Sequence, residues 1–568
     1  MHVIALATDY DGTVARDGVI GDDTVTALER LRAGARKVIL VTGRELPDLQ
    51  RVCDRLDLFD LVVAENGALL YDPATQEETP LSPPPDERFV ARLRAEGVTP
   101  LSVGRTIVAT WQPNETAVLA AIRDLGLEYR IAFNKGAVMV LPAEVTKASG
   151  LRAALGRLCL SPLNVAGVGD AENDIALLES CGFAVAVANA LDTVKERAAW
   201  VTPGERGEGV AQLVDRILSD DLRGMDATAP KQRIALAREE DGREITVFPR
   251  RQSLLLTGHS GGGKSTFTLG VLERLRDAGF QACILDPEGD YEGTSHTVQE
   301  GGPDAAPDPA RIIELLHRTA NGVVVNLLGV KLADRPAFLA ALVPQLMSLR
   351  AKVGRPHVVV VDEAHHMLPA DWDPGAANMP PELHGFLFIT MRPELLPRRL
   401  LDTVDTFLIV GAEPLESARS FCAARGLEPP AEAPPIATGQ ALMFRTDQPG
   451  TIRRVGVIPG IGSRRRHIRK YAEGKLGEES VFYYRGPDDR LRLRVHNLVL
   501  FIQMGDGVDE ATWEHHRRRG DYSDWMRRCV KDSDLAEEVA SIEASDLPFS
   551  TARERVHAAV ERRYTAPG

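Results

Sequence analysis

The sequence predicts an α/β protein in three parts: a doubly wound parallel sheet carrying a small α+β insertion, a second α/β domain, and a mainly helical C-terminal domain. Two patterns lead there. Short apolar runs at residues 3–7, 37–41, 61–64, 164–168 and 183–187 alternate with amphipathic segments, the pattern of parallel strands separated by helices. That alternation breaks at Ser82-Pro83-Pro84-Pro85-Asp86, over residues 220–232 and at Gly460. At 568 residues the chain is too long for one core, given the usual size of domains. The breaks place domains at 1–225 (with a cap at about 83–143), 226–459 and 460–568.

Composition narrows the classes. Hydrophobic residues make up 44%, which excludes a wholly disordered chain. Cys53, Cys159, Cys181, Cys283, Cys422 and Cys529 are scattered without a C-x-x-C pair. That argues against zinc ribbons and a disulfide framework, and fits a reducing cytoplasm. The N-terminal apolar run is too short for a signal peptide, and no stretch approaches the length of a membrane span. A cytoplasmic protein with no membrane partner is expected. The net charge of −14 disfavours binding of nucleic acid by the whole chain, though a local basic groove stays open.

Four motifs stand at the ends of successive predicted strands in the first domain. Asp9-Tyr10-Asp11-Gly12-Thr13 follows the first strand, where open α/β sheets place their ligands. Two aspartates two residues apart can divide attack on phosphorus from proton transfer to the leaving group. Thr42-Gly43-Arg44 ends the next strand with a hydroxyl and backbone amides. Lys147 opens a helix after the insertion, and Gly169-Asp170-Ala171-Glu172-Asn173-Asp174 supplies carboxylates after a further strand. Carboxylates suit a hard, oxygen-seeking cation. Singly, each motif reads equally well as a cap, a turn or a solvated charge; their order removes that reading.

This constellation resembles the haloacid-dehalogenase phosphatases, in particular the Cof-type subclass with its Rossmann-like core and inserted cap. The resemblance covers about residues 1–220 and extends to Ala64-Glu65-Asn66-Gly67-Ala68 and Phe133-Asn134-Lys135-Gly136. It implies Asp9 as nucleophile and Asp11 as general acid/base, with Thr42 and Lys147 holding the phosphoryl group. Asp170 would bind Mg²⁺ with Asp9 and the Asp11 carbonyl, supported by Asp174. Gly43, Arg44, Asn66, Asn173 and Lys135 are candidates for contact with a small phosphorylated substrate, such as a phosphosugar or phosphoglycolate.

Gly258-His259-Ser260-Gly261-Gly262-Gly263-Lys264-Ser265-Thr266 contains a phosphate-binding loop between an apolar run at 253–257 and a helix expected from Ser265. Its amides cradle phosphates, Lys264 reaches the β/γ-phosphates and Ser265 binds Mg²⁺. The run 357–362 ends in Asp362-Glu363-Ala364-His365; Asp362 would hold Mg²⁺ and Glu363 would activate water. A run at 385–390 would present Thr390 to the γ-phosphate, while His365 and His366 read as helix-start residues. With Asp286-Pro287-Glu288-Gly289-Asp290-Tyr291 and Thr390-Met391-Arg392-Pro393, residues 250–445 resemble the HerA/FtsK-type ATPases. The resemblance implies a RecA-like core, ATP as ligand and a homo-oligomer formed through this domain.

The chain departs from that pattern. Met391 stands where glutamine is usual, only 28 positions separate Asp362 from Thr390, and the preceding barrel is reduced to a hairpin-sized stretch at 233–248. Residues 460–568 hold no motif tied to chemistry. Phe482, Tyr483, Tyr484, Trp513 and Trp525 are expected to form a small core, and the basic run 464–470 a solvated face. The expectation is a small-metabolite phosphatase regulated by a fused ATPase. The alternative is a nucleic-acid-engaging ring ATPase with an end-trimming phosphatase.

Overall fold

A computed structural model describes residues 3–134, 136–258, 262–370, 383–411, 414–428, 432–446, 452–460, 481–489, 491–530 and 532–564. The chain divides into two compact units, residues 1–233 with 348–355, and 234–347 with 356–568.

Unit one is built on an eight-stranded sheet. Its strands are β1 (Ala5–Thr8), β2 (Lys37–Val41), β3 (Leu61–Ala64), β4 (Leu69–Asp72), β5 (Glu77–Pro80), β10 (Val165–Gly169), β11 (Phe183–Ala186) and β12 (Trp200–Val201), in the order β12-β11-β10-β1-β2-β3-β4-β5. From β12 to β3 all pairs are parallel, and β4 and β5 add an antiparallel edge. Every residue of β1, β3 and β10 is buried, as expected when helices cover both faces. The chain leaves β1 toward β2 and β3, then returns to β10 on the other side. That reversal puts the carboxyl end of β1 at a topological switch point, the usual ligand crevice of an open α/β sheet. In register, Thr8 lies between Leu40 and Val168, so Asp9, Thr42 and Asp170 emerge from one edge.

The insertion forms its own sheet from β6 (Leu101–Val103), β7 (Val108–Trp111), β8 (Tyr129–Asn134) and β9 (Ala137–Pro142), ordered β6-β7-β9-β8 and wholly antiparallel. Helices Glu87–Ala95 and Glu115–Leu125 pack on it through Phe89, Leu93, Val118 and Ala121. A second apolar cluster of Ala68, Ile107, Met139, Leu141 and Val145 joins this cap to the body.

Unit two contains an eleven-stranded sheet of β13 (Ile234–Arg238), β14 (Glu244–Val247), β15 (Leu254–Thr257), β16 (Ala282–Asp286), β17 (Thr297–Glu300), β18 (Gly322–Asn326), β19 (Val358–Val361), β20 (Phe386–Thr390), β21 (Thr406–Val410), β22 (Gln440–Arg445) and β23 (Arg453–Val457). Its order is β14-β13-β23-β22-β21-β15-β20-β19-β16-β18-β17. The strands from β21 to β17 are parallel, and β22, β23, β13 and β14 extend the sheet antiparallel. The helix after the phosphate-binding loop begins at Lys264, one residue ahead of the sequence expectation.

Beyond Gly460, a hairpin of β24 (Phe482–Tyr484) and β25 (Leu493–Val495) packs with helices Leu498–Gly507, Glu510–Arg519, Ser533–Glu543 and Phe549–Tyr564. Phe482, Tyr484, Trp513 and Trp525 form its core with Phe501 and Tyr522. Tyr483 does not join them. Neighbouring strand residues face opposite ways, and its ring lies against the guanidinium groups of Arg485 and Arg492.

The helix Lys147–Arg157 crosses the turn after β3 at Gly150, where an added Cβ would lie 2.4 Å from Val63 Cγ1 and 2.6 Å from Gly67 Cα. Alanine normally gains about 1 kcal/mol over glycine in a helix, but overpacking costs about 1–3 kcal/mol. Gly150→Ala is therefore expected to lower the melting temperature of unit one in calorimetry; a rise would show that the helix has room to move.

Candidate functional site

The helix Lys147–Arg157 starts with a capping box: Thr146 accepts from the Ser149 amide, and the Ser149 hydroxyl accepts from the Thr146 amide. This fixes Lys147 at the first helical position and sends its side chain, 2% exposed, to the end of β1. There Nζ donates to Asp9 Oδ1 at 2.5 Å and to Asp174 Oδ1 at 2.6 Å. Asp174 is held in turn, its Oδ2 accepting from the amides of Asp170 and Ala171. Gly169 allows this closeness, since a Cβ there would lie 2.6 Å from that of Asp174. Thr13 Oγ1 donates to Asp170 Oδ1 at 3.0 Å.

Asp9, Asp170 and Asp174 each offer an oxygen within 4.8 Å of the others, and all three are buried. They form one such group of potential metal ligands, with one lysine beside it. A buried all-carboxylate set fits a hard cation, because buried charges need a partner. The strain shows in protonation. Burial, then the charge of Asp174, pushes the Asp9 carboxyl up to about 7 against the pull of Lys147. Burial works to lower the Lys147 ammonium, but Asp174 and Asp9 outweigh it and raise its pKa.

Asp11 sits at the edge of this group, its carboxylate taken by Arg44 through Nε at 2.6 Å and Nη2 at 2.7 Å. Arg44 also binds Asp48, and the Asp11 hydrogen bonds lead in raising its pKa. Thr42 is buried, its hydroxyl accepting from the Arg44 amide. A cleft of about 710 Å³ opens over these groups. Its floor includes Asp9, Asp11, Thr42, Gly43, Arg44 and Asn173, and the cap supplies Ser102, Thr110, Trp111 and Met139. The Nδ2 atom of Asn173 is buried without a hydrogen-bond partner.

Asn66 is 2% exposed and is not among the residues lining the cleft; Lys135 lies outside the described residues. Sequence reasoning missed Asn189, whose side chain donates to Gly12 O and accepts from the Arg206 amide. It also passed over Glu65 as a ligand of the cap.

In unit two, Gly258 and Gly263 have φ of 151° and 98°, conformations that favour glycine. A Cβ on Gly258 would lie 2.1 Å from Val410 O. Lys264 Nζ donates to Gly258 O at 2.6 Å, and Ser265 and Thr266 fall in the first turn of the helix. Gly262 is described, while Ser260 and Gly261 lie outside the described residues. Asp362, beyond the end of β19, accepts from Tyr291 Oη at 3.0 Å and from the Glu363 amide. Burial, then the charge of Glu363, pushes its carboxyl up to about 7.

His365 meets Thr390 Oγ1 at 3.0 Å and lies 3.5 Å from Glu363. Burial, then His366 and Arg392, pushes its pKa down to about 4. Asp286 binds the amides of Glu288, Asp290 and Tyr291, closing the turn that carries Tyr291. The basic run 464–470 lies outside the described residues, and no described helix is long and apolar enough to cross a membrane.

A family model for haloacid dehalogenase-like hydrolases matches residues 6–88 and 118–214. A phosphoglycolate phosphatase of Methanothermobacter thermautotrophicus is 31% identical over 224 residues, covering 38% of this chain and 98% of its own. Enzymes of the same description from Haloarcula marismortui and Natronomonas pharaonis are 30% and 32% identical, with 95% and 97% of their lengths covered and 37% and 38% of this chain.

The Asp9 carboxyl is shifted from 3.8 to about 7, so between those values the folded state binds the extra proton. Without a cation, its contribution to stability is present at the acid end and lost as pH rises through 7. In chelator, the melting temperature of unit one is expected to fall between about pH 5 and about pH 8, less so in Asp9→Asn. Mg²⁺ should restore it in the wild type. Identical pH profiles for the two proteins would refute this.

Proposed function

The chain belongs, through residues 6–214, to the haloacid dehalogenase-like hydrolases, and from that premise we propose that unit one is a Mg²⁺-dependent phosphatase of small phosphorylated metabolites. The observation that carries this is the buried group of Asp9, Asp170 and Asp174 around Lys147, beneath a cleft roofed by the cap. In this reading the Asp9 carboxylate attacks phosphorus, forming an aspartyl-phosphate as the P–O bond to the leaving group breaks. Asp11 gives that oxygen a proton. Water then attacks the phosphorus, the P–O bond to Asp9 breaks, and the proton of the water returns to Asp11, releasing inorganic phosphate.

The Thr42 hydroxyl, the Gly43 amide and the Asn173 amide group donate to the phosphoryl oxygens, where charge grows in the transition state. Asp9, Asp170 and the Asp11 carbonyl, supported by Asp174, would hold Mg²⁺, which would supply further charge neutralisation. Lys147 keeps Asp9 and Asp174 from repelling one another in the buried floor. Arg44 occupies both carboxylate oxygens of Asp11. An anionic group on the substrate draws Arg44 away and leaves Asp11 free to meet the leaving group. Phosphoglycolate, which the relatives are named for, offers such a carboxylate, and the terminal phosphate of a phosphosugar leaves the cleft wider use of its 710 Å³.

Unit two is proposed to bind and hydrolyse ATP and to regulate the phosphatase. Support comes from the strand order β21-β15-β20-β19-β16 and from the register of β15 with β20, in which Thr257, directly ahead of Gly258, pairs with Thr390. Asp362 and Ser265 would hold Mg²⁺, and Glu363, with His365 between it and Thr390, would orient the attacking water.

Two experiments follow. Phosphate release from a panel of phosphorylated metabolites and end-phosphorylated oligonucleotides should favour a small phosphoacid or phosphosugar and fall by about 10³ or more in Asp9→Asn. Preference for oligonucleotide ends would turn the reading toward nucleic acid. For unit two, calorimetric titration should show ATP binding weakened about tenfold or more by Lys264→Ala. Glu363→Gln should keep binding and lose turnover; unchanged ATP affinity in Lys264→Ala would remove the nucleotide assignment.

A further inference from the structure

The turn Glu65–Gly67 after β3 touches three parts of the phosphatase site at once. Its backbone holds the second motif, with the Glu65 amide donating to Arg44 O at 2.9 Å and the Asn66 amide to Thr42 O at 3.0 Å. Gly67, at φ 109°, packs so closely on the start of the lysine-bearing helix that a Cβ would lie 1.9 Å from Thr146 O. The third contact is the Glu65 side chain. It is fully buried, on a backbone at φ 52° that a non-glycine residue rarely adopts.

That carboxylate is spent on the cap. Oε1 accepts from the Arg105 amide, and Oε2 from the Thr106 amide and hydroxyl, each at 2.9 Å. Gly104 completes the cradle, because a Cβ there would lie 2.8 Å from Glu65 Oε1. These three residues are the turn between β6 and β7. The same hairpin carries Ser102, Ile107, Ala109, Thr110 and Trp111 into the wall of the cleft. A carboxylate accepts only, and all three of its partners donate, so the geometry has one low-energy arrangement.

We propose that Glu65 is a positioning residue that sets the β6–β7 hairpin above Asp9, and thereby decides which leaving groups the cleft accepts. The proposal rests on the phosphatase reading for its kinetic consequence, but not for the tether itself. Glu65→Gln keeps the shape of the side chain and turns an amide N–H₂ toward a donor. Gly104→Ala attacks the same contact from the cap side and leaves the body untouched.

Both variants are compared with the wild type in two ways. Hydrogen exchange over residues 101–111 is expected to speed up about tenfold or more, with peptides covering β1 and β10 unchanged. Hydrolysis is followed with acetyl phosphate, whose acetate leaving group is the smallest of the three, and with glucose 6-phosphate and 2-phosphoglycolate. The kcat/KM for acetyl phosphate should stay within about twofold, while its ratio to that for glucose 6-phosphate shifts about tenfold, mostly in KM. Unchanged exchange over 101–111 overturns the proposal, even if the wild type hydrolyses none of the three compounds. Loss of acetyl phosphate turnover in step with the others also overturns it, showing that Glu65 only supports the body. Failure of the wild type on all three compounds would instead count against the phosphatase reading.

Discussion

Burying three carboxylates beside a single ammonium leaves an excess of negative charge in the floor of unit one, and much of that unit is arranged around this imbalance. Lys147 Nζ lies 2.5 Å from Asp9 and 2.6 Å from Asp174, so it answers two of the three. Asp170 and Asp174 are answered in part by backbone amides and by Thr13. The remaining deficit appears as the raised Asp9 carboxyl. In the proposed reading a divalent cation would remove that deficit at the atoms where a phosphoryl group must also arrive, so the element that stabilises the fold and the element that serves the chemistry would coincide. The capping box at Thr146 matters for the same reason, since a frayed helix start would leave Lys147 unplaced.

The second unit meets a similar problem with different means. Asp362 is a buried carboxylate raised to about 7, yet it belongs to no cluster of three ligands among the described residues. It rests on the Tyr291 hydroxyl and the Glu363 amide, while Lys264 rests on Gly258 O. Both polar groups are thus satisfied internally. In the proposed reading, Mg²⁺ enters this site with the nucleotide phosphates, as suits an ion that uses few protein ligands.

The sheet of unit one and the residues around Asp9 were legible because each chemical group follows an apolar run directly. A strand end is a local feature, and Asp9, Thr42 and Asp170 need only the register of neighbouring strands to converge. Lys147 was legible from its place at a helix start. What stayed hidden depends on pairs far apart in sequence: Arg44 with Asp11, Asn189 with Gly12, and Glu65 with a hairpin about forty residues on. Arg44 looked like a free substrate ligand because nothing local shows that its guanidinium is already engaged. Asn66 shared its motif with Glu65 but folds inward. Tyr483 shows the limit within one strand: aromatic content marked the core, while the alternation of faces sent one ring outward.

Two of the three donors to Glu65 are backbone amides, so this one tether asks little of the side chains in its turn. Arg105 contributes its amide whatever residue stands there, and in this contact only Gly104 and Thr106 are constrained by size or by a hydroxyl. The tip of the hairpin can therefore drift in sequence without Glu65 having to change in step, while Ile107 stays bound to the apolar seam with the body. A lineage built this way can try new substrates by altering the cap while its chemical floor stays constant.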